Sequence, residues 1–385
     1  MVAMTYGRLR LWIGISGVGF LVVAAAGLLW WGIPHVALPL YRQPLAADLF
    51  WLALILLAYT MLHWPFDWVG GYLLPCRFGR LCHLLPAFVW ACIRGTWVQM
   101  GTMLLCAGLT LAAGRAGGRL AATATVLALM IVLLAWQERW AQAVGGLHEY
   151  QADLEPVAER LRSWGLKMPP VRVLAGMDPG FSGGIVGLPG RERIILPAQW
   201  LQTLDVDLVA IEVARRAGAI ETGSRMRGLA VALAWNTGGY WLASGMPGAG
   251  FATLADYLTL VLWFTLWSFI GLLILPSVSR PGVLELDTYV REKGVPTEAF
   301  EKAVSELDQL QDDEPIRPKL VESIFHPIPS VENRKRAWRQ GRRSWGAWHA
   351  ARMALFLSWP ALGLLGRAVH CNSGRPELWV LLPAD

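Results

Sequence analysis

Long apolar runs with almost no charge recur through the first 136 residues and again between 226 and 276. A helix that crosses a bilayer needs about 20 mostly apolar residues, so runs of this length exclude a soluble protein built on a single core. A transmembrane β-barrel would show short alternating segments instead. Charged residues make up 16% of the chain, against roughly 25% in ordinary soluble domains. The fold class that follows is an α-helical polytopic membrane protein.

The first run lies behind Arg8 and Arg10 and reaches about residue 33. It is too long for a signal peptide and lacks a small-residue cleavage site, so it reads as a retained span. Further spans are expected at about 46–64, 96–114, 120–136, 226–246, 252–276 and 350–367, seven in all, with an interfacial helix before Arg94. Arg8, Arg10, Arg77, Arg80 and a basic block at 334–343 mark the inside face by the positive-inside rule. On that orientation the tail with Cys371 is outside, and Arg115 and Arg119 fall on the unfavoured side. Tryptophans 30, 31, 64, 136, 241 and 359 sit at span ends, where interfacial belts explain them. The expected units are a membrane region at 1–136, a soluble domain at 137–225, two spans at 226–276, its second part at 277–349, and a last span with tail at 350–385.

The soluble stretches have local signals of their own. An amphipathic helix is expected at 154–164, a β-branched strand at 171–175 and a hairpin at 183–196 turning at Leu188-Pro189-Gly190. A helix at 205–221 follows from the spacing of Leu208, Ile211 and Val213. Later helices are expected near 283–293 and 297–310. Asn236, Thr237 and Asp256 lie in or beside spans, where polar groups are costly and line cavities or helix contacts.

Most familiar chemistry is missing. Five cysteines (76, 82, 92, 106 and 371) form no CxxC pair, which argues against a zinc ribbon or redox pair. Ser182-Gly183-Gly184 is not a nucleophile elbow, and no phosphate-binding glycine loop is present. The net charge of +6 fits membrane-facing loops better than nucleic acid.

Several segments, in order, carry a resemblance. Pro65-Phe66-Asp67-Trp68 with Tyr72 and Phe78-Gly79 comes first. The helix at 154–164 follows, then Ser182-Gly183-Gly184-Ile185-Val186 with Arg193-Ile194-Ile195-Leu196. Asp207-Leu208-Val209-Ala210 opens a helix that precedes two spans, and Ser279-Arg280, Asp287 and His326-Pro327 come last. Over roughly residues 45–340 this order resembles the integral-membrane zinc metallopeptidases that include the CAAX prenyl proteases and HtpX-type proteases. The resemblance implies a small cytoplasmic α+β metallopeptidase-like domain, with Ser182, Gly183, Gly184, Ile185 and Val186 as a strand for substrate or partner.

The site residues depart from that family. Its His-Glu-x-x-His helix holds zinc with two histidines on one face and uses the glutamate as general base. Here those positions are Arg215, Arg216 and Ala219, and the third ligand position is Val283, whereas Asp287 and His326 are retained. Zinc needs N, S or O donors at about 2.0–2.3 Å, and an arginine stays protonated. No metal and no cofactor are therefore expected. Arg215 or Arg216 is expected to pair with Glu212, Glu285 or, foremost, Asp287. His148-Glu149 through Asp153 imitates the family's Glu-x-x-x-Asp but stands in the wrong order. His35, His63, His83, His349 and His370 form no cluster. The function these features imply is that of a catalytically inactive pseudopeptidase, a binding or assembly subunit among membrane lipids and other membrane proteins, in a bacterial inner membrane. The alternatives are an active metalloendopeptidase with a non-standard site and a lipid- or isoprenoid-binding protein.

Overall fold

The computed structural model describes residues 4–80, 84–311 and 313–381. Its long helices begin and break where the local chemistry directs. Helix α1 (Tyr6–Trp30) opens on Thr5, whose hydroxyl accepts the Arg8 N–H, satisfying one of the unpaired first-turn donors. Helix α2 (Leu45–Trp68) runs on through a π-helical turn, Val69–Leu73, to Arg77. Helix α3 (Leu85–Ala135) is 51 residues long but is broken at Gly118, where φ is 67° and ψ is −157°. Glycine takes this conformation without the steric cost another residue would incur, so α3 is two limbs.

Helix α4 (Gln137–Gly145) leads into a four-stranded sheet of β1 (His148–Glu149), β2 (Val171–Ala175), β3 (Gly184–Val186) and β4 (Arg193–Pro197), in the order β1-β2-β4-β3. Strands β2 and β4 are parallel, and β3 pairs antiparallel with β4 through Ile185 opposite Ile194. Helix α5 (Glu155–Ser163) and the central helix α6 (Val206–Glu221) cover the sheet. Two long helices follow, α7 (Ser224–Ala243) and α8 (Leu254–Glu292). The inner end of α8 packs with α9 (Thr297–Gln311) and α10 (Val331–Gln340) around a core that includes Leu208, Ile211, Leu286, Phe300 and Trp338.

Among the described residues four helices are long and apolar enough to cross a membrane: α1, α2 with its extension, α3 and α8. Helix α7 is less apolar but runs the same way. Its start is held at the sheet, where Arg225 Nη2 donates to Gly187 O at 2.6 Å. Its end meets Arg119 at the opposite face, where that guanidinium bonds Trp241 O. Counting both limbs of α3, six rods run between the two faces.

The seventh expected span does not form. Residues 350–367 make an eight-residue helix, α11 (Ala350–Leu357), and then two 3₁₀ turns. Eight residues reach about 12 Å, far short of the ~30 Å hydrocarbon layer. The segment is apolar because protein surrounds it: Asn236 Nδ2 donates to Ala354 O at 2.9 Å, and Trp359 is buried. The tail is consequently not on the far face. Arg375 pairs with Asp178, in the connection between β2 and β3.

Three smaller expectations also change. No separate interfacial helix precedes Arg94, which lies inside α3. Residues 283–293 are not a helix of their own but the continuation of α8 through Pro276 and Pro281. Arg115 and Arg119, on the unfavoured side, are neutralised locally. Arg115 pairs with Asp48, and Arg119 stands 3.9 Å from the Trp241 ring.

Candidate functional site

Helix α6 lies in the middle of the layer built on the sheet, so it is buried all round and not on one stripe. Every residue from Leu208 to Ala219 is inside, and Arg215 and Arg216 are 0% exposed. A guanidinium cannot stay unpaired there, since an uncompensated buried charge costs several kcal/mol. Arg215 Nε donates to Asp287 Oδ1 at 3.0 Å, and its Nη1 to Glu212 Oε1 at 2.8 Å. The pair with Asp287 is the one expected from sequence. Glu285 is not part of it. Both its oxygens accept from Arg227 Nη2 at 2.7 Å.

A second arginine completes the cluster. Arg334, at the start of α10, donates Nε to Asp287 Oδ2 at 2.9 Å and Nη2 to Oδ1 at 2.8 Å. This fork on a carboxylate is the strong geometry for an ion pair. Asp287 thus receives α6 and α10 together, and two guanidinium groups are balanced by two carboxylates. Nothing in the sequence near Asp287 pointed to Arg334, 47 residues away in a basic block that marks the inside face by the positive-inside rule.

Arg216 takes a different role. Its Nη2 donates to Ser182 O at 2.6 Å and Nη1 to Ile195 O at 3.3 Å, with the guanidinium carbon 5.1 Å from the Trp200 ring centroid. It pins the two strands of the hairpin to α6 through their backbone carbonyls. Ser182, Gly183, Gly184, Ile185 and Val186 are all buried. Strand β3 is the end strand of the sheet, and residues of the tail lie over its outer side. A small cavity of about 30 Å³ there is lined by Gly184, Ile185, Arg352, Val380 and Leu381.

These residues do not fit a zinc ion. Of the three positions that the resemblance gives to ligands, Arg215 is a cation already bound to two carboxylates. Ala219 and Val283 are apolar and 0% and 1% exposed. Among the described residues no three His, Cys, Asp or Glu side chains converge as a ligand set.

The other residues singled out are dispersed. His326 is buried, with its ring centroid 5.2 Å from that of His370 in the tail. His148 and Glu149 form the short strand β1, paired with Ala175 and Leu174. His35 Nε2 meets Asp256 Oδ1 at 3.0 Å, and His63 is buried near Asp67. Asp67 accepts from Arg367 Nε at 2.8 Å and from the Gly374 N–H at 2.7 Å, so the early Pro65-Phe66-Asp67-Trp68 motif holds the tail. Cys92 and Cys106 are buried, Cys76 and Cys371 half-buried. Cys82 and His83 lie outside the described residues.

No protein-family model matches the chain, and no curated protein matches it. Among solved structures it is similar to the crystal structure of S. mikatae Ste24p, with a TM-score of 0.66. The two share 14% sequence identity over 77% of this chain and 76% of that one. At such identity the likeness is one of fold: the chain has the architecture of a polytopic membrane protein of the Ste24p kind.

Proposed function

We propose that this chain is a catalytically inactive membrane pseudopeptidase that serves as a binding or assembly subunit of a membrane complex. The observation that carries the reading is the Arg215 guanidinium, held by Asp287 and Glu212 at the position that the sequence resemblance gives to the first zinc ligand. A fixed cation paired inside the core does the structural work of a bound metal and supplies none of its Lewis acidity or activated water. On this reading the soluble layer faces the cytoplasm of a bacterial inner membrane, and the partners are lipids and other membrane subunits. Metal analysis of the purified protein tests it. Fewer than about one zinc per ten chains is expected, with no cleavage of a farnesylated CAAX peptide. Stoichiometric zinc together with chelator-sensitive cleavage would overturn it.

A second reading has one observation in its favour. A cavity of about 490 Å³ lies between α1, α2 and α8, lined by apolar side chains such as Phe20, Trp51, Leu56, Leu258 and Leu362. Its size suits a hydrocarbon chain. Co-purifying lipid identified by mass spectrometry, and lost on Leu56→Trp, would favour a lipid-binding role.

A further inference from the structure

The final segment is both the least regular part of the fold and the most deeply threaded. After α11 it makes only short 3₁₀ turns, at Trp359–Ala361, Leu364–Arg367 and Pro376–Leu378. It nevertheless fills a trench whose walls are glycine. A Cβ on Gly14 would stand 2.5 Å from His370 N, one on Gly71 2.1 Å from Gly374 O, and one on Gly95 2.8 Å from the Pro376 ring. One on Gly145 would lie 2.9 Å from Glu377 Cα. Helices α1, α2, α3 and α4 therefore leave room for a peptide backbone there and for nothing bulkier at those points.

The contacts along the trench are specific. Arg375 makes a two-pronged ion pair with Asp178. Glu377 accepts the backbone N–H groups of Met177 at 2.8 Å and Asp178 at 2.9 Å. Leu378, Trp379, Val380 and Leu381 are no more than 3% exposed, and Leu381 ends against Gly184 of β3. One flank of the segment is wet. A cavity of about 310 Å³ has Asp178, Arg375 and Glu377 on one wall and Tyr6, Arg80 and Phe88 on the other. Solvent reaches the polar anchors while the apolar residues beyond them stay dry.

We propose that residues 372–381 are a displaceable strap, the resident occupant of a peptide-binding site that runs from this cavity to the outer edge of β3, and that a linear segment of a partner protein binds by exchanging with it. Segments held by short turns and a few anchors open locally at less than the global cost. Opening leaves the Met177 and Asp178 N–H groups without their carboxylate, which favours any peptide that restores it. The matching ligand carries a basic residue for Asp178, a carboxylate two positions on, and then a large apolar pair. The inference rests on the binding role proposed above but not on the loss of zinc.

The test uses the whole protein in detergent and a synthetic peptide of residues 372–381. By hydrogen exchange, amides 372–381 should exchange at least tenfold faster than those of β4 and α6. R375E should expose the strap further, and that variant should bind the peptide at least tenfold more tightly than the parent protein does. The same peptide carrying Arg375→Glu should bind at least tenfold more weakly. Exchange of 372–381 only with global unfolding would overturn the proposal, and this decides the matter even if R375E fails to fold. So would an R375E strap that opens yet leaves a site blind to the peptide. Neither outcome depends on metal content, so a failure here is separable from a failure of the pseudopeptidase reading.

Discussion

Two guanidinium groups share the Asp287 carboxylate, so losing that aspartate breaks contacts to both helices at once. Removing it leaves Arg215 with Glu212 and strips Arg334 of both hydrogen bonds it makes to Asp287. Breaking a buried pair costs about 3–5 kcal/mol, so Asp287→Ala should lower the melting temperature in detergent by roughly 10 °C. Arg215→Met keeps the volume and the fork between Arg334 and Asp287 but takes the Arg215 guanidinium from buried Glu212, so it should lower the melting temperature as well. Equal melting temperatures for Asp287→Ala and the parent protein would remove the cluster from any structural role. The Arg215 contact was legible from sequence because an arginine in a buried helix must find a carboxylate, and Asp287 survived in the right place. Arg334 was not, because no local pattern joins a fork to a carboxylate so far along the chain. Arg216 was half legible. The resemblance puts it at the position of the general base, but its partners are backbone carbonyls, which every residue has.

At the level of elements, the helix at Val206–Glu221, the strand at Val171–Ala175 and the hairpin around Ile185 and Ile194 followed from periodicity and turn residues. The last segment did not, because an apolar run records burial without recording whether lipid or protein surrounds it. Pro360, Gly363 and Gly366 are the signal that could have separated the two, since they break a helix before it reaches bilayer length. The strap also has a pH dependence of its own. Burial, and then the Asp178 charge, push the Glu377 carboxyl up to about 7. Burial opposes ionisation of Asp178 too, but the Arg375 charge and the hydrogen bonds of Arg375 and Gly180 hold it below the usual carboxylate range. Arg80 and Tyr6 face the pair across the cavity. Docked Glu377 therefore holds its proton more tightly than the released segment does. From the ordinary carboxylate value near 4.5 up to about 7, docking weakens as pH rises, by at most roughly tenfold per unit in the opening equilibrium. Above that window it levels off, and under strongly acid conditions protonation of Asp178 loosens its pair with Arg375. Hydrogen exchange of 372–381, corrected for intrinsic rates, should show this trend between pH 5 and 7. Glu377→Gln should flatten it, and an unchanged slope in that variant would assign the pH dependence elsewhere.

For the molecule as a whole, the contacts at the two ends of the rods fix which pieces share a face. At the near end Arg8 Nε meets Glu314 Oε1 at 2.8 Å, Arg80 meets Asp313 at 3.2 Å, and the tail binds the sheet-bearing layer through Asp178. At the far end His35 meets Asp256, Arg115 meets Asp48, and Arg119 caps the last turn of α7. The N-terminal arginines, the sheet-bearing layer and the tail thus share one end, whereas seven crossings would place the tail opposite. The basic residues agree: Arg8, Arg10, Arg77, Arg80 and the block at 334–343 all gather at the near end, as positive-inside sorting requires. Arg115 and Arg119 tolerate the far end because an aspartate and an indole ring neutralise or cover them there. Two positions distinguish the arrangements. Trp345, which is 73% exposed, stands at the near end, and Tyr41, 69% exposed, stands in the far connection between α1 and α2. In sealed vesicles of known orientation, Trp345→Cys and an epitope added after Asp385 should react from one side with impermeant reagents, and Tyr41→Cys from the other. An epitope that reacts from the same side as Tyr41→Cys would restore the seventh crossing, and with it undo both the shared face and the strap that depends on it.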